Sequence, residues 1–314
     1  MVDYGVWPQW MLYTPPSAVD LVPGKGTGNV IRDIAREVLS AISGLTLLGP
    51  KSGVVWRGQA DSGWRLESKM GRMGLTPEGM RSRERQMLRE AREIGADNAQ
   101  HLGDWEILAR LRHHGAATRL VDFTTDPLVA LWFLCNDQSI VDEESEGPFV
   151  SGINVTARER DGVLLAYQRS DLGALANPYM RNYAATLDGP SRRNLLYKIP
   201  PIDPRIAAQR GVFAFARKPL NAAASPASEL GLVSPGKSWE KHAAERLAKV
   251  CDVEKWARAA GRPVEKFPNL IGIVVTAEVK VELLKVLETA HGFTWSTMFP
   301  DFAGMGAAYA NLRP

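Results

Sequence analysis

The stretch HHGAATRLVDFTTDPLVALWF, residues His113–Phe133, decides how the rest of the chain is interpreted. It begins with a turn signal, because Gly115 follows two histidines. Residues Leu120–Phe123 are then predicted to be extended. Asp126-Pro127 predicts a helix start, because aspartate is a preferred cap and proline suits the first helical position. The helix that follows is apolar on nearly every side, so we expect it in the core.

Other predicted strands lie on both sides of this stretch. Val54–Trp56 leads directly into Arg57-Gly58. The other predicted strands are the apolar runs Gly162–Tyr167, Gly211–Phe215 and Leu270–Val275. The strands are few and irregularly separated. This favours an α+β fold, with a split, twisted central β-sheet flanked by helices, over a doubly wound sheet.

The predicted domain organisation is simple. Residues 1–50 are an irregular arm and a first helix that Gly44 can end, and residues 51–314 form one domain. Residues 169–194 are polar and predicted to be loop.

Composition excludes several classes of protein. The chain is 45% hydrophobic and 23% charged, as globular proteins are, and its formal net charge is only +3. That charge is no strong signature for nucleic acid, although a pI near 8.8 permits such a partner. The start shows no signal-peptide pattern and no run of about 18 apolar residues occurs, so we expect a cytoplasmic protein without a membrane partner.

The two cysteines lie far apart in the sequence. Cys135 follows the apolar run Leu131–Leu134 and is predicted to be a reduced core thiol. Cys251 has no CxxC partner, so no thiolate zinc site is expected.

Arg57 is the first candidate site residue. A guanidinium at the end of a buried strand suits a phosphate or carboxylate ligand, and Gly58 would let a ligand approach the backbone. A structural pair between Arg57 and a core carboxylate such as Asp122 is the alternative.

A second group of candidates surrounds Asp122. Its neighbours are Thr118, Arg119 and Thr124, and an aspartate among apolar residues must be paired or hydrogen-bonded. Arg119 or Arg57 could supply the partner. The group either lines a ligand cleft or fixes a turn.

His114 and Gln209 complete the candidates. His114 suits a hydrogen bond in a ligand cleft or a structural cap, because adjacent histidines point in different directions and joint metal ligation with His113 is poor. Gln209, just before a predicted strand, could hold a ribose hydroxyl or be an ordinary loop residue.

Three stretches together resemble the FRG-domain family. They are Trp56-Arg57-Gly58-Gln59, the stretch 113–133 and Pro204–Phe213, and the closing Phe299-Pro300-Asp301 also matches. The family usually has Phe or Tyr where this chain has Trp56. Each motif alone is common, and their order makes the resemblance specific.

The layout also resembles the Arg-Ser-Glu type of ADP-ribosyltransferase toxins. This resemblance implies NAD as substrate, an ADP-ribosyltransferase-like fold, and catalytic roles for Arg57, Asp122, Thr124 and Gln209. It implies further NAD contacts from Gly58, His114, Thr118 and Arg119. The acceptor would be RNA, another nucleic acid or a protein, as for a toxin or phage-defence effector with an antitoxin or chaperone partner.

One departure from that pattern concerns the last motif. The toxins place a glutamate before the strand, which stabilises the oxocarbenium-like transition state, and this chain has Gln209. Either Asp122, Glu229 or Asp301 supplies the charge, or the activity is weak or absent.

Two other readings stay open. Residues 81–94 form a predicted helix with five arginines, which would suit a non-catalytic nucleic-acid-binding module. The interleaved Glu84, Glu90 and Glu93 favour a solvated, salt-bridged face instead. A hydrolase that uses His114 and Asp122 is the other alternative. The only support for it is that these two residues are close in the sequence, and the GxSxG motif of a nucleophile elbow is absent.

Overall fold

The computed structural model describes residues 10–13, 27–48, 53–136, 160–169, 172–174, 182–189, 194–200, 204–217, 270–302 and 304–306. The predictions made for Glu229 and Cys251 lie outside these residues. The chain divides into two compact units. The first comprises Met1–Trp64, Thr124–Gln168 and Pro235–Pro314, and the second comprises Arg65–Phe123 and Arg169–Ser234.

The described elements, in chain order, are β1 (Trp10–Tyr13), α1 (Thr27–Leu48), β2 (Val54–Gln59), α2 (Lys69–Arg72), α3 (Pro77–Glu93), a 3-10 helix (Ala96–His101), α4 (Asp104–His113), β3 (Val121–Thr124), α5 (Pro127–Cys135), β4 (Gly162–Gln168), β5 (Gly173–Ala174), α6 (Tyr183–Asp188), β6 (Leu195–Tyr197), α7 (Pro204–Gln209), β7 (Gly211–Phe215), β8 (Leu270–Val275), α8 (Ala277–His291) and α9 (Trp295–Met298).

The first unit is built on the strand order β1-β8-β4-β2. The β8–β4 and β4–β2 pairs are antiparallel, and β1 runs parallel to β8. Thr124, the last residue of β3, pairs with Trp56 of β2. Apolar side chains of α1, α5 and α8 pack on one face of these strands, and Trp56, Leu164 and Ile273 are among the strand residues that meet them. Burying this face stabilises the unit by the hydrophobic effect.

The second unit carries the strand order β3-β7-β6-β5. Its core centres on Trp105 of α4, which is fully buried. The Trp105 ring stacks on Phe215 with centroids 4.1 Å apart and lies 5.3 Å from the Tyr183 ring. Its indole N–H donates to Thr186 Oγ1 at 3.0 Å, so the one polar atom of this side chain is satisfied inside the core.

The prediction of a mixed fold with a β-sheet and flanking helices is confirmed, while a split sheet and a likeness to ADP-ribosyltransferases stay predictions. Only β1–β8 and β5–β6 are parallel among the pairings described, so no regular βαβ array is present in that part of the chain. Whether residues 51–314 form one domain stays a prediction.

Two predictions about single elements are wrong. Helix α1 does not end at Gly44 but continues to Leu48, because Leu45 is buried in the core and its burial offsets the weak helix propensity of glycine. Residues 169–194 are not all loop, since they contain α6, whose Tyr183 and Leu187 side chains are buried. Asn182 caps this helix by accepting a hydrogen bond from the Ala185 N–H at 2.9 Å.

The prediction for Cys135 is confirmed, since it is a free thiol with 2% of its surface exposed. Burial raises the pKa of Cys135 to about 12, with a smaller opposing effect from the Lys280 ammonium. A thiol with such a pKa is not a nucleophile at neutral pH. Within the described ranges, no helix has the length and apolar character that crossing a bilayer requires.

Candidate functional site

Arg57 lies inside strand β2, not at its end as the sequence predicted. The strand runs to Gln59, and β4 pairs with it along its whole length, Arg57 facing Leu165. The Arg57 side chain is half-buried. Because its backbone is fixed by a neighbouring strand, the direction in which the guanidinium leaves the sheet is set by the fold.

Gly58 marks the closest approach between strand β2 and helix α5. A Cβ atom at Gly58 would lie 1.9 Å from the Ala130 carbonyl oxygen and 2.6 Å from the Leu134 nitrogen. No side chain fits there. Packing against α5 therefore explains why this position is glycine, whether or not a ligand binds nearby. Its predicted contact with NAD stays a prediction.

Strand alternation separates Arg57 from Thr124. Paired residues of an antiparallel ladder project to the same face, so Thr124 shares a face with its partner Trp56, whose side chain lies in the α5-covered core. Arg57 is adjacent to Trp56 and therefore projects to the other face. The first unit does not bring these two predicted site residues together.

Thr124 instead begins the turn into α5. Its hydroxyl accepts a hydrogen bond from the Asp126 N–H at 3.0 Å, and Thr124 is only 5% exposed. Asp126 then caps the helix, as the sequence predicted, by accepting from the Leu128 N–H at 2.9 Å. The threonine and aspartate side chains thus fix the start of the helix that packs on Gly58.

Arg119 takes part in a buried ion pair of the second unit. Glu84 of α3 accepts from the Arg119 backbone N–H at 2.8 Å and from its Nε at 2.6 Å, while Tyr183 donates its hydroxyl proton to the same carboxylate at 2.6 Å. Arg119 Nη2 also donates to the Tyr183 hydroxyl at 2.8 Å. All three side chains are at most 2% exposed. This triad, Glu84–Arg119–Tyr183, satisfies its charges internally, as buried charges require.

Burial raises the pKa of Tyr183 above its ordinary value, and the nearby Glu84 carboxylate raises it further. The phenol therefore stays protonated and keeps donating to Glu84. The predicted role of Arg119 in NAD binding stays a prediction, since its observed bonds all lie within the triad.

The sequence pattern predicted that Glu84 lies on a solvated face, and this prediction is wrong because Glu84 is buried. The signal was present in the spacing, because Met80 and Leu88 are also buried and Glu84 lies midway between them on the same stripe of α3. A carboxylate at a core position of an amphipathic helix indicates a buried partner.

Thr118 is also buried, with 0% exposure. Its hydroxyl accepts from the Leu120 N–H at 3.3 Å, and its carbonyl accepts from the Met70 N–H at 3.4 Å. These bonds hold the chain segment that leads into β3. A contact between Thr118 and NAD stays a prediction.

Asp122 pairs with Arg112 of α4. The sequence had suggested Arg119 or Arg57 as the partner of Asp122. The expectation for Arg119 is wrong, because Arg119 binds Glu84 instead. The Asp122 side chain is 40% exposed, and Arg112 is 16% exposed. The carboxylate is therefore held on one side and open to solvent over part of its surface.

His114 is exposed at the end of α4, where Gly115 takes the left-handed conformation at φ 93°. The rings of His113 and His114 lie 6.0 Å apart and are inclined by 82°, so the prediction that adjacent histidines point in different directions is confirmed. Across the described ranges, no group of three or more His, Cys, Asp or Glu side chains is placed to hold a metal ion.

Gln209 is the last residue of α7, and a single residue, Arg210, separates it from Gly211 at the start of β7. Its side chain is half-buried. The predicted position of this amide before a strand is therefore confirmed, while its role stays a prediction.

The arginines of α3 mostly form ion pairs, as the interleaved charges predicted. Arg81 binds Asp188 at 2.8 Å, Arg92 binds Asp104 at 2.6 Å, and Arg89 lies 3.9 Å from Glu93. These pairs bring carboxylates to three of the five arginines of α3.

Comparison with known proteins bears on the first half of the chain. No curated protein and no solved structure matches this sequence. A family model does match it, over residues 52–143, and the matched region contains both Trp56-Arg57-Gly58 and the stretch 113–133. Pro204–Phe213 and Phe299–Asp301 lie beyond it. Residues 52–143 of this chain match the FRG domain, and the match supports the FRG-domain family.

Proposed function

We propose that this protein is an NAD-dependent ADP-ribosyltransferase in which Arg57 binds the diphosphate of NAD. The observation that carries the proposal is the position of Arg57, half-buried within a hydrogen-bonded strand and projecting away from the α5-covered core. A guanidinium held at a fixed point offers two parallel donors to phosphate oxygens.

The order of elements supports the same proposal. Trp56-Arg57-Gly58 lies on β2, Thr124 of β3 pairs with that strand, and α5 follows with Ala130 packed against Gly58. Gln209 then precedes β7. The resemblance to the toxins implies a fixed order of elements. A strand that carries the arginine comes first, then a second strand and a helix, and finally a polar residue before a further strand. This chain has the same order.

The reaction requires no acid to protonate the leaving group. The bond between the ribose C1′ and the nicotinamide nitrogen breaks, and its electron pair neutralises the charge of the leaving nicotinamide. A nucleophile of the acceptor then forms the new bond to C1′ and loses its proton. The protein must hold the diphosphate and the ribose and keep water away, and such positioning lowers the barrier by several kcal/mol.

Gln209 limits the expected rate. Its amide can bind a ribose hydroxyl but carries no charge to stabilise the oxocarbenium-like transition state. Of the carboxylates that could compensate, Asp301 already accepts from the Gly304 N–H at 2.7 Å and Asp122 pairs with Arg112. We therefore expect slow transfer, to a protein or nucleic-acid acceptor, as suits a toxin or defence effector under the control of a partner.

The decisive experiment is incubation of the full chain with NAD labelled in the adenylate, together with separate pools of protein, RNA and DNA. Label in one pool identifies the acceptor class. Label in none, with no release of nicotinamide, would overturn the proposal. Binding of RNA with a steep salt dependence and no NAD consumption would support the non-catalytic module instead.

Arg57→Ala tests the residue assignment. If Arg57 binds the diphosphate, labelling falls on the order of 30- to 1000-fold while the thermal midpoint stays near that of the parent. The matched control is Arg36→Ala, because Arg36 is 76% exposed on α1 of the same unit. A variant that melts far below the parent would show that Arg57 is a structural partner, and one that labels normally would refute the assignment.

A further inference from the structure

The small net charge of the chain conceals an uneven distribution between the two units. The second unit, Arg65–Phe123 and Arg169–Ser234, carries 20 lysines and arginines against 13 aspartates and glutamates, a formal charge of +7. The first unit carries 18 against 22, a formal charge of −4, and the two values together give the +3 of the whole chain. The second unit is therefore basic, and a basic surface attracts polyanions.

Helix α3 carries the largest group of these cations among the described elements, with five arginines in 17 residues. Its buried carboxylate, Glu84, is already neutralised by Arg119 inside the unit. Carboxylates lie beside three of the arginines, whereas Arg83 and Arg85 are exposed and form no ion pair with any described residue. The surface of the helix thus keeps positive charge that the described carboxylates do not balance.

Three of the arginines, Arg81, Arg85 and Arg89, form what we call the arginine row. They are four residues apart, so their side chains follow one another along one flank of α3 at intervals of about 6 Å along its axis. Arg83 lies two residues from both Arg81 and Arg85, and residues so spaced do not face each other on a helix. Arg83 therefore projects away from the row.

The ion pairs within the arginine row leave its guanidinium groups open to exchange of partners. The Arg89 and Glu93 side chains are 67% and 64% exposed and 3.9 Å apart, and Asp188, beside Arg81, is 58% exposed. Pairs as exposed as these contribute little to stability. A phosphate, which accepts two parallel hydrogen bonds from a guanidinium, can replace such a carboxylate at small cost.

The rest of the helix surface favours a phosphate backbone over a protein partner. Every exposed side chain within α3 is polar or charged. A protein interface contains a fully buried centre that is more apolar than its rim, whereas contacts to phosphates require only cations and other hydrogen-bond donors.

We infer that the arginine row binds the phosphate backbone of a nucleic-acid strand, with Arg85 at its centre. Contacts of this kind fix a strand on the surface without reading its bases. The row lies in the second unit and Arg57 in the first. The inference therefore does not depend on whether Arg57 binds NAD.

Fluorescence anisotropy of a labelled oligouridylate, titrated with the full chain, tests the inference. With three phosphate contacts, the logarithm of the association constant should fall by about 2 per tenfold rise in salt, because each contact to a single strand contributes about 0.7. Arg85→Gln should reduce this slope by about 0.7 and weaken binding roughly fivefold to tenfold at about 50 mM salt. Oligothymidylate should bind similarly, since phosphates are contacted.

Arg83→Gln is the matched control, because it removes the same charge from an exposed position of the same helix outside the arginine row. It should bind nearly as the parent does. Glu93→Gln should act in the opposite direction and strengthen binding, since it removes a negative charge beside Arg89. All three variants should melt with the parent, because the substituted side chains are exposed.

Three results would overturn the inference. They are no binding of the oligonucleotide at low salt, equal weakening by Arg83→Gln and Arg85→Gln, and displacement of the oligonucleotide by polyglutamate as efficiently as by unlabelled oligouridylate, which would indicate an acidic protein as the partner. Failure of the proposed function is distinguishable. A chain that binds the oligonucleotide but consumes no NAD retains the inference and refutes the transferase, and a chain that labels an acceptor without binding the oligonucleotide does the reverse.

Discussion

Gly58 shows how a single residue can determine the distance between a strand and a helix. The space where its side chain would be is filled by backbone atoms of α5, which cannot move as the end of a flexible side chain can. Helix α5 supplies Val129, Leu131 and Trp132 to the core, so its distance from the sheet affects the packing of the whole unit.

We therefore predict that Gly58→Ala destabilises the protein by about 3 kcal/mol or prevents folding, because a new methyl group must displace the backbone at Ala130. Denaturant unfolding monitored by circular dichroism measures the effect. Gly306→Ala is the matched control, since nothing lies within 4 Å of a Cβ at Gly306. Equal stability of the Gly58→Ala variant and the parent would contradict the close approach described here.

Several residue-scale predictions followed from local signals. Asp126 and Pro127 predicted the helix start because capping chemistry acts over two or three residues, and Cys135 was predicted to be buried from its apolar neighbours. The Asp122 partner was not predictable in the same way. The sequence suggested Arg119 or Arg57, whereas the observed partner, Arg112, lies on α4, and its place beside Asp122 depends on tertiary packing.

At the scale of elements, the buried carboxylate of Glu84 connects helix α3 to its neighbours. The triad joins this helix to the segment before β3 and to α6, three elements that the sequence separates by up to 99 residues. An ion pair buried this deeply favours one arrangement of the three, because any other leaves a charge without its partner.

Removing Glu84 should therefore cost far more than removing another glutamate of α3. We predict that Glu84→Ala lowers the free energy of unfolding by about 3–5 kcal/mol, since Arg119 would remain buried and unpaired. Tyr183→Phe should cost about 1 kcal/mol, because the Glu84–Arg119 pair survives it.

The control for both variants is Glu90→Ala, on the exposed face of the same helix, where we expect almost no change. Urea titrations of the four proteins provide the comparison. If Glu84→Ala and Glu90→Ala unfold alike, the triad does not stabilise the second unit.

Elements with strong apolar patterns were predictable from the sequence, and those held by tertiary contacts were not. Strands β7 and β8 have the predicted bounds, because each is a short continuous run of mostly buried apolar residues. Helix α6 was missed because its six residues carry no long periodic pattern and depend on packing against Trp105. The spacing of Met80, Glu84 and Leu88 could have predicted that Glu84 is buried, but not that Arg119, 35 positions away, is its partner.

At the scale of the whole molecule, the region that matches the FRG domain does not coincide with a compact unit. Residues 52–143 include β2 but not β4 or β8, and they include Glu84 and Arg119 but not Tyr183. Each unit is assembled from segments that lie far apart in the sequence.

We predict that residues 52–143, expressed alone, do not fold. Strand β2 would lose the partner that pairs with it at six positions, and Trp105 would lose Phe215 and Tyr183. The fragment should show no cooperative melt and rapid amide exchange, whereas we expect a sharp transition for the full chain. A fragment with dispersed amide resonances and a sharp melt would contradict this prediction.

The bond from Lys280 Nζ to the Ala60 carbonyl joins residues 220 positions apart. At about 5–20 residues per second, a ribosome needs roughly 10 to 45 s to make the chain between them. Throughout that interval the first unit lacks β8 and α8, while the second can already contain all of its described strands, which end at Phe215. A nascent chain therefore exposes an incomplete apolar sheet until β8 and α8 have been made, and we expect any activity that depends on Arg57 to arise only after that point.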